Sequence, residues 1–249
     1  MKRAERRHLK ENELAHTIAV AREWLTNRRK EITSFFLAVA LIAAIVAGIS
    51  TWRQQDDARA DQLLANAMVV LNARVVPATV TSENPGEVPA AATIGATGSY
   101  ATEAAKLRAA LPGLKAVADA FPETNAGVAA RYLYASSLSN LGEHAEAIGE
   151  FSEVIGLSGD DSLYSRVALM GAAQAQMLAG QPDAAIETWN GLVSSTDGQL
   201  PKDAVLMELG RAYQAIGDQE EANRTFARVI DEYPTSLYSA EAQAALEGS

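Results

Sequence analysis

From Tyr100 onward the apolar residues recur at helical spacing, and glycines interrupt them at regular intervals. Gly142, Gly180 and Gly217 each close one periodic segment and precede another, 38 and 37 residues apart. Five residues after each glycine stands an alanine (Ala147, Ala185, Ala222), four later a large aromatic (Phe151, Trp189, Phe226), and three later an aliphatic (Val154, Leu192, Val229). Self-similarity at a fixed period is the mark of a stacked array. Helical hairpins are expected here, each docking on the next. Ala110, Leu114, Val117 and Pro122 extend the register backwards.

Upstream the pattern changes. Ile32 to Trp52 is uncharged and mostly apolar over 21 residues, which as a helix spans about 30 Å, the thickness of a hydrocarbon core. A transmembrane helix is expected over 32–52, longer than the apolar core of a cleaved leader. Ala40, Ala44 and Gly48 form a small-xxx-small stripe on it. Before the span, Leu14, Ile18, Ala21 and Leu25 share one helical face among Arg22, Arg28 and Arg29, the pattern of a short amphipathic helix. After it, Ala58 to Val76 keeps a helical period and predicts a membrane-proximal helix within 53–76. Residues 77–99, with Pro77, Pro85, Pro89, Gly86, Gly95 and Gly98, have little to bury and read as a flexible linker. The glycine-rich stretch at 95–99 lacks the lysine of a phosphate loop.

Charge orients this layout. Residues 1–31 hold nine Lys/Arg against five Asp/Glu, a local +4 within a chain of net charge −10, which leaves −14 on the residues after the span. The excess of basic residues before the span assigns 1–31 to the cytoplasm and 53–249 to the opposite, outer side of the membrane. So acidic a main part repels phosphate backbones, and nucleic acid is not an expected partner. There is no cysteine, which excludes disulfides, zinc thiolates and cysteine nucleophiles. Aromatics make up only 6% and alanine is abundant, a balance that suits helices packed closely through small side chains.

The last unit carries Leu209, Gly210, Tyr213, Gly217, Ala222, Phe226 and Pro234, and with these residues the sequence resembles the tetratricopeptide repeat. The implied fold is all-α: one N-terminal transmembrane helix, then an α-solenoid of tetratricopeptide-like hairpins over 100–249 with a C-terminal capping helix built on Tyr238, Ala242 and Leu246. In such a hairpin the glycine after the first helix permits a left-handed turn. Gly210 and Ala222 keep a close crossing, Tyr213 and Phe226 fill the space between adjacent hairpins, and Pro234 stops the second helix. The period here exceeds the usual ~34, so enlarged loops are expected, as at 156–162. The first unit is degenerate, with Pro112 inside its second helix and Ala58–Val76 as its displaced first helix.

Candidate chemistry is sparse. His144 sits at a hairpin turn with no second histidine spaced beside it, and reads as a half-exposed turn residue. Glu146, Glu150 and Glu153 follow one helix face and read as solvated. Asp218, Glu220 and Glu221 occupy a first helical turn, where carboxylates favour the positive end of the dipole. Gly159, Asp160 and Asp161 lack the alternating ligands of a calcium loop. Asn223 to Thr225 fits a glycosylation pattern but falls inside a helix. No catalytic residue, cofactor, metal or small-molecule substrate is expected, and the chain reads as a protein-binding module rather than an enzyme.

The resemblance also implies where partners sit, because in this repeat the first helices of successive hairpins line a groove. Those positions are Tyr132, Ser136 and Asn140, then Met170, Gln174 and Met177, then Met207, Arg211 and Gln214. The cluster of Lys and Asn with which some relatives clamp a carboxylate is missing, with only Arg211 present. Methionines and amides suit an adaptable groove for extended apolar segments. The whole layout resembles the ancillary SecYEG translocon subunit family, often called YfgM-like. That resemblance implies association with the Sec translocon, with a membrane-anchored periplasmic chaperone and with exported clients. The other reading is a structural adaptor in a cell-envelope assembly complex.

Overall fold

The structure is a computed structural model that describes residues 29–76, 98–159, 162–195 and 200–248. The amphipathic segment expected at 14–25 and residues 77–97 lie outside the described residues. Helices dominate the rest: α1 (Arg29–Leu71), α2 (Glu103–Ala120), α3 (Asn125–Asn140), α4 (His144–Ser158), α5 (Leu163–Leu178), α6 (Pro182–Ser194), α7 (Lys202–Ile216), α8 (Gln219–Glu232) and α9 (Ser239–Glu247). The chain forms two units, Met1–Gln55 and Asp56–Ser249.

In the first unit, α1 is long and apolar enough to cross a bilayer. Leu37, Leu41, Ile42 and Ile45 are each more than half exposed along it. That length and exposed apolar surface suit a helix that spans a bilayer.

The second unit holds the hairpins. Its first pair is made by the last turns of α1 against α2, where Ala67 joins Ala110 and Leu114 in one core cluster. A Cβ on Gly113 would come within 3.3 Å of the Ala67 Cβ, so the two helices meet through small residues. The helix expected to run to Val76 instead ends at Leu71. Two β-branched residues before Pro77 disfavour further helix, and Arg74–Val75 (β1) pairs in parallel with Ser99–Tyr100 (β2). Val76 N–H adds a bond to the Tyr100 carbonyl at 2.9 Å. Ser99, taken as the end of the linker, is therefore a buried strand residue.

The last three hairpin turns repeat one geometry. Gly142, Gly180 and Gly217 have φ of 86°, 74° and 81°, which only glycine adopts without strain. The following N–H groups of Glu143, Gln181 and Asp218 donate back to the carbonyls of Leu138, Gln176 and Tyr213 at 2.9, 2.8 and 3.0 Å. This is the Schellman closure of a helix C-terminus. At the other end, Thr102, Thr124, Ser162 and Asp218 accept from N–H groups in the first turns of α2, α3, α5 and α8. Each such cap is worth about 1 kcal/mol. The enlarged loop expected at 156–162 is shorter than that. α4 continues through Ser158, and the helix ends at Gly159 with φ 75°.

Packing follows the repeat. Ala147, Ala185 and Ala222 are all fully buried at their crossings, as are Phe151, Trp189 and Phe226 four residues on. Tyr213 bridges hairpins as expected, packing on both flanking clusters and accepting from Asn190 Nδ2 at 3.2 Å. Phe226 differs. Its ring lies over Gly210 of its own hairpin, where an added Cβ would meet it at 2.5 Å. Phe151 makes the same approach to Gly171 of the next hairpin, also at 2.5 Å. α9 closes the array, with Ala242 fully buried and Tyr238, Ala245 and Leu246 packed on the cluster around Phe226.

A polar lock ties α2, α3 and α4. Arg131 donates to Glu150 at 2.6 Å, to Asp119 at 3.2 Å and to the Ala118 carbonyl at 3.3 Å. Tyr134 donates to Glu146 at 3.0 Å, and burial together with that carboxylate pushes its phenol up to about 12. Glu146 and Glu150 are thus structural partners, not merely solvated as their spacing implied.

Two outcomes follow for stability. Gly210→Ala forces the Phe226 ring aside and is expected to cost about 1–3 kcal/mol in urea unfolding. Adding Phe226→Leu should recover part of that loss, so the two changes will not be additive. Arg131→Ala strands Glu150 beneath the α2 to α4 interface and is expected to cost about 3 kcal/mol, measured in the same way.

Candidate partner-binding groove

Stacked hairpins have an inner and an outer helix layer. Here α3 touches α5 directly across the hairpin boundary, whereas α4 and α6 make no comparable contact. At this boundary the first helices are the closer pair. Their small residues make this possible: Ala130, Ala135, Ala168, Ala172, Ala173 and Ala175 are all buried.

The nine expected groove residues divide into three groups. Asn140, Gln174 and Gln214 are exposed. Tyr132, Ser136, Met170, Met177 and Arg211 are half-buried. Tyr132 packs its ring on Phe151 at 5.8 Å between centroids, and burial raises its phenol pKa. Met170 and Met177 lean on the cluster around Trp189 while keeping part of their surface open, with Gln174 between them. Met207 does not belong to an open surface. It is 1% exposed and sits in the cluster with Phe226 and Ala242. The reason is positional: α9 contributes to that cluster where an internal repeat would continue the array.

Arg211 is reachable, with 41% of its side chain exposed, but it is already engaged. Glu208 one turn earlier and Glu241 from α9 both accept from its guanidinium. The Glu241 hydrogen bond, above all, raises its pKa further. The other arginines of this layer turn inward. Arg131 is held in the polar lock, and Arg166 is 5% exposed and donates to Ser195 at 3.3 Å. α3 and α5 contain no Asp or Glu, so their outward surface carries amides, hydroxyls and methionines. The outer layer is the opposite: α4 and α6 hold Glu146, Glu150, Glu153, Asp183 and Glu187 and no Lys or Arg.

Two exposed residues extend the layer beyond the expected set. Leu178 is 58% exposed and Ile216 is 41% exposed. Each is the last helical residue before its turn, at the position where periodicity alone predicts packing. Their place beside the turn glycine is the signal that distinguishes them. His144 opens α4, half-buried. Among the described residues no group of three or more His, Asp or Glu is arranged to hold a metal ion.

Known proteins were compared with the chain. Residues 204–236 match the family model of the tetratricopeptide repeat, which covers α7 and α8 with their turn and exit. No curated protein matches the sequence. Two solved structures of kinesin light chain TPR-like repeats from Podosopora anserina, one a single-substitution variant of the other, share 21% identity with the chain. They cover 57% of it and 84% of their own length, at a TM-score of 0.48. The hairpin of α7 and α8 thus matches the tetratricopeptide repeat, a repeat associated with protein–protein interaction, and it ends an all-α array in which the two preceding hairpins repeat its turn and its crossing.

Proposed function

We propose that this chain is a single-pass protein of a bacterial inner membrane, with its N-terminus in the cytoplasm and its hairpin domain in the periplasm. There it holds partner polypeptides in the groove formed by α3, α5 and α7. The observation that carries the reading is one chain joining an outward-apolar α1 to hairpins in which α3 and α5 present amides, hydroxyls and methionines and no carboxylate. The basic residues before the span support the orientation. Tyr132, Ser136, Asn140, Met170, Gln174, Met177 and Gln214 form the contact surface, with Arg211 at its end and Met207 beneath it.

The site of action proposed is the Sec translocon, beside a membrane-anchored periplasmic chaperone, with exported chains as clients. The resemblance of the whole layout to the ancillary translocon subunit family supports this. Anchoring has a physical use here. A weak groove held close to an exit site sees a high effective concentration of emerging chain and needs no tight binding. Weak, adaptable contact is what methionines and amides provide.

The test uses the full chain in its membrane. A photo-crosslinking side chain at Ile45 is expected to give adducts with translocon subunits. Purification from detergent-solubilised membranes should retain them, whereas residues 53–249 alone should lose them. Adducts with envelope-assembly proteins alone would instead favour a structural adaptor. Because the chain has no cysteine, a single Leu157→Cys reports orientation. A membrane-impermeant maleimide should label it in intact spheroplasts, and protection there would overturn the assigned topology.

A further inference from the structure

We infer that the groove selects its occupant by charge: it takes extended segments with an uncharged apolar centre flanked by Lys or Arg, and Glu241 sets this preference by occupying Arg211. The inference rests on the groove reading above and names the class of partner.

Three observations converge. The inner surface has no free cation to offer an anionic partner among the described residues of α3 and α5, since Arg131 and Arg166 turn inward to protein groups. Arg211 of α7 is exposed enough to reach a ligand, yet two carboxylates already bind its guanidinium, one of them delivered by α9. Carboxylates also mark one edge of the layer. Each turn glycine is followed within three residues by an acid, as Glu143, Asp183 and Asp218. The turns share one geometry in three successive hairpins, which puts these acids at the same end of each hairpin. Leu178 and Ile216 lie exposed beside two of those turns. An occupant therefore meets an apolar and amide floor with a negative rim. Flanking cations gain from that rim, and flanking carboxylates are repelled within the ~8 Å screening length at physiological salt.

Glu241 is a specificity-determining residue on this view. A segment bearing carboxylates would have to displace it from Arg211 before gaining any pairing of its own.

The test uses the full chain in nanodiscs at physiological salt and two fluorescent peptides. Both have the centre Ala-Leu-Met-Leu-Ala. One carries two Lys at each end and the other two Glu. Anisotropy should show the Lys-flanked peptide binding about tenfold more tightly. Glu241→Gln should narrow that gap several-fold by improving the Glu-flanked peptide. Gln174→Arg, on the exposed floor, should weaken the Lys-flanked peptide about tenfold, and a melting curve close to wild type shows that each variant is folded. Equal binding of the two peptides overturns the charge preference and leaves the groove intact. A Lys preference that Gln174→Arg does not change puts binding on the acidic exterior and overturns the inference. A gap untouched by Glu241→Gln removes the role given to that residue. If neither peptide binds, the groove reading itself fails.

Discussion

The hairpin array depends on how closely two helices can cross. At Ala147, Ala185 and Ala222 the side chain is a single methyl group with no surface left open. That closeness brings the aromatic four residues later within reach of the opposing helix. Where a ring needs still more room the opposing residue is glycine, as Gly171 beneath Phe151 and Gly210 beneath Phe226. A larger residue at any of these points would spread the helices or displace a ring in a core packed to crystalline density. The turn glycines serve the same end, since a tight reversal is the shortest way to return the chain at that spacing. Small residues thus do more to define this fold than large ones, which explains how so few aromatics suffice.

Most of this was legible in the primary structure, because backbone constraints leave local marks. A left-handed turn needs glycine, and a crossing needs a small residue, whatever the neighbours are. Gly142, Gly180 and Gly217 could therefore be read directly, and Ala147, Ala185 and Ala222 followed by phase. Features that depend on a distant element could not be read this way. Met207 has the spacing of a groove residue, and only the docking of α9 shows that it is covered. Arg211 looked like a lone cation until Glu241, thirty positions away, was seen against it. The run at 156–162 looked like a loop for its glycines and serines, but nothing stops helical bonding before Gly159. The end of α1 at Leu71 depends on pairing with Ser99 and Tyr100, across a segment that hydropathy describes only as polar and proline-rich.

Charge is distributed by layer rather than by residue. Arg131 and Arg166 belong to the inner helices by position, but their guanidinium groups hold neighbouring helices and exits in place. An equivalent tie recurs one hairpin on, where Ser236 donates to Asp203 at 2.6 Å. Acids fill the outer helices and the first turns after each reversal, where helix dipoles favour them. On α3 and α5 the inner surface is left with groups that form hydrogen bonds without demanding a counter-charge.

The small parallel pair of β1 and β2 has a consequence beyond local pairing. By bonding Val76 to Tyr100 it sets the entry and exit of the intervening stretch side by side on the first hairpin. The cost of closing a loop between fixed ends grows only with the logarithm of its length. Evolution could therefore lengthen, shorten or replace that stretch without disturbing the register of α1 against α2. The strands act as a socket, and a guest module grafted there would leave the host scaffold unaware of its size.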